Sequence, residues 1–304
     1  MDDDSTAKGS KGKGNGGRAN RICRIPVGLF DVLPGLAERR FFAAVRFVEK
    51  AVAKGFALVQ PPLLEFADTP REDAFLVLDS HSRRPMHLRP DITPQVERLA
   101  TSRLRDEPRP LRLCYAGEVL RSVGTPLRPE RQFLELGAEV FGTASLMEIL
   151  GLALEVLRAL GVEGTVVSLC HPAWLRGQLA GMSPEVFSMV QQKQFSALEP
   201  TLRQRLEAWQ DAGSRGEPPA GFVDADALAV QELTVVVRNN GGRLICDWLE
   251  SEGFSFQTGL CFALFVPGIA AEIGRGGVYR TVVGQEDAAG FSLYVEPLLG
   301  VVGV

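Results

Sequence analysis

Residues 111–141 read LRLCYAGEVL RSVGTPLRPE RQFLELGAEV F, and this stretch decides the fold. Two strand-like runs, 111–121 and 131–141, flank a segment carrying Gly124, Pro126 and Pro129. That order predicts an antiparallel hairpin with a long mobile connection. In the second run Phe133, Glu135, Gly137, Glu139 and Phe141 fall on one face, and Leu134, Leu136, Ala138 and Val140 on the other. Two carboxylates therefore point the same way from a strand whose back is wholly apolar.

Working outward, MHLRPD at 86–91 reads as a short strand that puts His87, Arg89 and Asp91 on one face. Thr93 is expected to cap a helix with Pro94 at its first position, where a missing N–H costs nothing. From Ala37 to Ala53, Phe41, Phe42, Val45, Val48 and Val52 recur at helical spacing among charged residues, which predicts an amphipathic helix. Gly55 ends it, and a strand at Phe56–Val59 stops at Pro61-Pro62. After the hairpin come a helix over 145–160, a strand over 165–169 and a helical insertion over about 171–229. A short helix near Arg243–Glu250 and strands at 254–266, 273–283 and 290–293 complete the reading. The expected class is α+β, an antiparallel sheet flanked by helices.

Composition narrows the function. Among 304 residues, 45% are hydrophobic, and the longest uncharged apolar stretch, Gly259 to Ala271, is broken by Pro267 and Gly268, too short to span a bilayer. The opening MDDDSTAKGSKGKGNGGRAN has no apolar core to direct export, so residues 1–20 are expected to be a disordered leader and the compartment cytoplasmic. Its glycines offer no phosphate loop without a strand before and a helix after them. The five cysteines lack CxxC or His spacing, so reduced, mostly buried thiols are expected and no metal. With 33 basic and 37 acidic residues and no long Lys/Arg run, a nucleic-acid binder is disfavoured.

Arg121, Glu135, Glu139 and Asp91 form a constellation of acids around one arginine. Carboxylates take ammonium or imidazolium groups, and a guanidinium takes a carboxylate or phosphate in bidentate geometry. The alternative is a solvated sheet face whose surface ion pairs are worth only about 0 to 1 kcal/mol each.

These residues resemble a family. The helix, strand and prolines ending in GFALVQPPLLE are similar to motif 1 of class II aminoacyl-tRNA synthetases, the dimer-forming motif. LRPDITPQVERLA, CYAGEVLR and RQFLELGAEVFG resemble the histidyl branch around motif 2. LRPD before TPQV, with Asp91 where the synthetase usually has Glu, looks most like the histidyl-synthetase paralogue that serves as regulatory subunit of ATP phosphoribosyltransferase. The resemblance spans about residues 25 to 300. It implies a class II synthetase-like core over 21–304, with no anticodon-binding domain, since only seven residues follow Pro297.

The departures from the pattern point to lost catalysis. Pro297 stands where motif 3 places its ATP-gripping arginine. Arg121 matches the α-phosphate arginine, but the acid two residues later is Val123. The first histidine motif matches Ser251 to Phe256, with Ser251 for arginine and Phe256 for the final tyrosine; the second, usually Gly-Gly-Arg-Tyr-Asp, reads Gly276-Gly277-Val278-Tyr279-Arg280. Each lost charge contact to a transition state costs about 3 to 4 kcal/mol, so several together leave no aminoacylation. The resemblance thus implies a non-catalytic subunit with no cofactor. It would act in the first step of histidine biosynthesis and its feedback control, partnering the short catalytic subunit and dimerising through motif 1, with no tRNA and no membrane. Its implied histidine contacts are Asp91, Thr93, Arg121, Glu135, Glu139 and Tyr279, with Glu135 replacing a glutamine common in the synthetase. The alternative is a truncated or degenerate histidyl-tRNA synthetase.

Overall fold

The computed structural model describes residues 25–67, 71–124 and 130–302. The expected leader, Cys23 and much of the hairpin connection lie outside them. Eleven strands and seven α-helices follow in the order α1 (Leu36–Ala53), β1 (Ala57–Leu58), β2 (Leu64–Phe66), β3 (Phe75–Leu78), β4 (Pro85–Leu88), α2 (Thr93–Thr101), β5 (Leu111–Leu120) and β6 (Gln132–Phe141). Then come α3 (Leu146–Ala159), β7 (Val166–Cys170), α4 (Pro172–Gln178), α5 (Pro184–Gln191), α6 (Pro200–Ser214), α7 (Asp224–Asn239), β8 (Arg243–Cys246), β9 (Gln257–Phe265), β10 (Gly274–Arg280) and β11 (Asp287–Tyr294). The main sheet runs β1-β5-β6-β11-β10-β9-β7-β8, and β2-β4-β3 form a small second sheet. Antiparallel pairing holds throughout the main sheet except at its rims, where β1 joins β5 and β7 joins β8 in parallel.

The hairpin forms as its alternation predicts, with Leu111 opposite Phe141 and Leu120 opposite Gln132. Leu134, Leu136, Ala138 and Val140 are buried together with Ile149, Leu150, Ala153 and Leu157 of α3 and with Phe47 of α1. Burying side chains of this size contributes about 1.5–3 kcal/mol each. The opposite face of β6 is left to carry chemistry.

The structure completes the sequence reading at α1 and corrects it at two other places. In α1 the buried residues are Ala43, Phe47 and Ala51, while Phe41, Phe42, Val45 and Val52 stay exposed in the single chain. Small residues let the helix lie close to the sheet, so the bulky stripe faces outward. The segment after Asn239 is no helix: Arg243–Cys246 is strand β8, recruited by the exposed edge of β7, and α7 runs on past Ala229 to Asn239. At α2, Thr93 is the first helical residue and not the cap. Asp91 Oδ1 accepts the Thr93 N–H at 3.0 Å, because a carboxylate two residues back is the nearer acceptor for an orphan helix N–H.

Helices α4 to α6, between β7 and α7, enclose their own small core around Leu175, Leu179, Val190, Leu206 and Trp209. Cys114, Cys170, Cys246 and Cys261 are buried free thiols. Burial pushes the Cys114 thiol up to about 11 and that of Cys246 to about 12. Among the described residues no helix is long and apolar enough to cross a membrane.

Candidate functional site

A cavity of about 340 Å³ opens on the polar face of β6. All six residues singled out above as ligand contacts, Asp91, Thr93, Arg121, Glu135, Glu139 and Tyr279, line it. They come from the turn before α2 and its first residue, the end of β5, β6 and β10, so it is largely the sheet register that gathers them.

The acid end is built from buried carboxylates and hydroxyls. Glu139 is held from both sides: Thr93 Oγ1 donates to its Oε1 at 2.8 Å and the Tyr279 hydroxyl to its Oε2 at 2.9 Å. Glu135 Oε1 accepts from Ser292 Oγ at 2.7 Å and from the Tyr115 hydroxyl at 3.2 Å. Tyr115 in turn lies 3.0 Å from both Thr93 Oγ1 and Ser292 Oγ. Gly137 faces Tyr115 across the ladder, and a Cβ there would stand 2.2 Å from the Tyr115 ring, so the phenol can reach the acids only because position 137 has no side chain.

Desolvation dominates the electrostatics. Burial, reinforced by the charge of Asp91, pushes Glu135 up to about 8 against the opposing pull of Ser292, Arg121 and Tyr115. Burial likewise lifts Glu139 to about 8, although the Thr93 and Tyr279 hydroxyls favour its anion. Both Tyr115 and Tyr279 are raised well above the usual phenol range, first by burial and then by the neighbouring glutamates. Two carboxyl groups that prefer to hold protons at neutral pH form an environment that rewards an incoming cation.

The other end is basic. Arg121 donates through Nε to the Pro90 carbonyl at 3.3 Å and lies 5.0 Å from the Phe133 ring centroid. The segment leading into β3 anchors it, through a bridge between Ala74 and Arg121 and a Ser122 N–H to Asp73 carbonyl bond of 2.8 Å. Arg71 grips Asp73 with two bonds of 3.0 and 2.9 Å. Burial pushes the Asp73 carboxyl up, but the bonds and charge of Arg71, with the charge of Arg121, hold it below the usual carboxylate range.

Of the residues that depart from the synthetase pattern, Asp91, Glu135 and Phe256 line the cavity, and the others lie outside its lining. Ser251 Oγ accepts from Gln191 Nε2 at 3.1 Å, turned toward α5. Val278 packs partly buried against the large core, Arg280 pairs with Asp287 at 3.0 Å, and Val123 is exposed. Pro297 sits in a 3-10 turn, Glu296–Leu298, outside the cavity lining. The adjacent Glu296 accepts from Arg40 Nε and from the Leu134 N–H, both at 2.8 Å. Of the trio read on one strand face, only Asp91 reaches this cavity. The chain leaves β4 at Leu88, and Arg89 is satisfied by the carbonyls of Glu118 and Pro61, at 2.7 and 2.8 Å. His87, Arg89 and Asp91 meet instead around a neighbouring hollow of about 300 Å³.

Several residues of the site escaped the sequence reading. Tyr115 stands six positions before Arg121 on the same strand face, a period-two signal that was available. Ser292 becomes a partner only through the register that sets it opposite Gly137. Arg275 reaches beneath the 251–256 loop, donating to the Gly253 carbonyl at 3.0 Å while Glu272 takes its other side. No local pattern announces that contact.

Comparison with known proteins identifies the family and the fold. The family model described as histidyl-tRNA synthetase matches residues 28–298. The ATP phosphoribosyltransferase regulatory subunit of Paramagnetospirillum magneticum is 35% identical, over 92% of this chain and 82% of that protein. Its counterpart from Rhodospirillum rubrum is 34% identical, over 90% and 80%. Among solved structures, an ATP phosphoribosyltransferase regulatory subunit/histidyl-tRNA synthetase from Bacillus halodurans superposes with a TM-score of 0.78 at 21% identity, covering 93% of this chain and 84% of that one. A chain of the ATP phosphoribosyl transferase (HisG:HisZ) complex from Thermotoga maritima gives 0.69 at 19%, covering 84% and 97%. At these identities the structures establish a shared fold.

Proposed function

We infer the role of this protein from a membership now established: the chain belongs to the ATP phosphoribosyltransferase regulatory subunits, a branch of the histidyl-tRNA synthetase family. It is a non-catalytic subunit serving the first step of histidine biosynthesis. Its partner is the catalytic subunit, which performs the transfer of the phosphoribosyl group to ATP.

The observation that supports a sensing role is the division of the cavity into a basic end at Arg121 and an acid end at Asp91, Glu135 and Glu139. In this reading free histidine is the occupant. Its carboxylate pairs with Arg121, its ammonium with Asp91 and Glu135, and its imidazole with Glu139 and the Tyr279 hydroxyl. Such a ligand changes the partner's activity only so far as it binds one state of the complex better than the other. Pro297 carries no charge for a triphosphate, in keeping with a site that holds an amino acid and does not activate it.

Two copies would pair through the outer face of α1. Phe41, at 65% exposure, and Val52, at 51%, with Phe42 and Val45 beside them, offer an apolar stripe that a second copy would remove from water. The compartment of a pathway of this kind is the cytoplasm.

The test is reconstitution. The purified chain is mixed with the short catalytic subunit and phosphoribosyl-ATP formation is followed with and without histidine. Activity that depends on this chain and falls with histidine supports both roles. Histidine-insensitive activation would remove the sensing role and keep the assembly role. Histidine-dependent exchange of pyrophosphate into ATP by the chain alone would favour a degenerate synthetase.

A further inference from the structure

The two buried glutamates are not equivalent. Both Glu139 oxygens accept a hydroxyl hydrogen bond, whereas Glu135 receives two on Oε1 and has Oε2 buried with no hydrogen-bond partner. Around it stand Asp91 and Thr93 at the start of α2, Tyr115 and Arg121 at β5, Glu139 on β6, Tyr279 on β10 and Ser292 on β11. Arg89 acts on it only through its charge. Among the described residues no arginine or lysine forms an ion pair with Glu135, and an uncompensated buried carboxylate costs several kcal/mol.

We propose that Glu135 makes the acid end of the cavity a proton-exchanging cation site, in which the ligand's ammonium group replaces a proton on Oε2, so that binding releases that proton and tightens as pH rises. This rests on the reading that histidine is the occupant. The balance is simple. The carboxylic O–H of Glu135 breaks, its proton leaves to the buffer, and an N–H···O bond forms from the ligand's ammonium to the new carboxylate. At Glu139 a proton can pass to the imidazole within the site, which releases nothing. The part of the release that disappears in Glu135→Gln reports on Glu135. The lift of Glu135 to about 8 by burial and by Asp91 supplies the proton at neutral pH. A glutamine at this position, as the synthetase resemblance implies, has none to give.

L-Histidine is titrated calorimetrically into the full chain near pH 7, in phosphate and in Tris, whose ionisation enthalpies differ widely. The expected result is buffer-dependent heat equal to about half to one proton released per site, with Kd falling about fivefold between pH 7 and 8. Glu135→Gln should bind with buffer-independent heat and a flat Kd, its folding checked by thermal unfolding. The wild-type buffer comparison stands whether or not that variant folds. Binding by the wild type with buffer-independent heat and a flat Kd overturns the proton exchange and leaves the histidine reading intact. Absence of binding to the wild type up to about 10 mM histidine overturns both.

Discussion

Glu139 and Gly290 stand directly opposite each other on neighbouring strands, and the carboxylate of the first fills the space that a side chain on the second would need. A Cβ at position 290 would lie 1.6 Å from Glu139 Oε2. The acid end of the cavity therefore exists because a strand added some 150 residues later, in the order set by the sheet, brings a glycine to this place.

Gly290→Ala should displace that carboxylate and break its bonds to Thr93 and Tyr279 while the strands stay paired. Each bond to a charged group is worth about 1.5–3 kcal/mol, so histidine affinity should fall at least about tenfold. Calorimetry reads the affinity, and an unchanged Kd would mean that Glu139 does not touch the ligand.

Without ligand, the protein should lose stability as pH rises. Glu135 and Glu139 sit at about 8 in the folded chain and Glu296 at about 7, all above the value of 4.5 for the free side chain. A raised folded value means that the native state holds more protons than the unfolded chain between those limits. Its contribution is whole below about 4.5 and is lost as pH climbs through about 8. Thermal unfolding across pH 5–9 should show a falling Tm, and Glu139→Gln should flatten the decline. A Tm rising through this window would contradict the assignment.

Phe41→Asp places a charge in the exposed apolar stripe of α1. The isolated fold has no reason to suffer, since substitutions at such surface positions usually stay within about 0.5 kcal/mol. A paired helix face would have to bury the carboxylate without a partner, at a cost of several kcal/mol. Sedimentation should find a dimer for the parent chain and a monomer for the variant, with matching circular dichroism.

Pro297→Arg should not create pyrophosphate exchange. One restored charge contact is worth two to three powers of ten in rate, but Val123, Ser251 and Val278 would still lack their charges, and groups that act together are not replaced singly. Histidine-dependent exchange by this variant would show that a nearly intact activating site survives.

The hairpin and its two faces could be read directly from residues 111–141, because side-chain alternation in a strand is a local property with period two. The same holds for the helix after LRPD, since a proline at the head of a helix acts within one turn, although the cap read at Thr93 falls to the Asp91 carboxylate. The set of site residues came from ordered motifs, which carry position without geometry. Helix α1 was read correctly as an amphipathic helix, but periodicity reports an apolar stripe and not which surface will cover it. Strand β8 was misread because four residues of mixed polarity have no preference that outweighs a free sheet edge beside them.

Local sequence thus determined most of the elements, their polarity and the chemical types at the site, but not the short strands β2, β3 and β8. The pairing of Glu139 with Gly290, the reach of Tyr115 over Gly137, the place of Ser292 beside Glu135 and the seat of Arg275 under its loop were decided by strand register. Register is set by contacts between segments far apart in the chain, and burial, which lifts the two glutamates, exists only once those segments have closed over them.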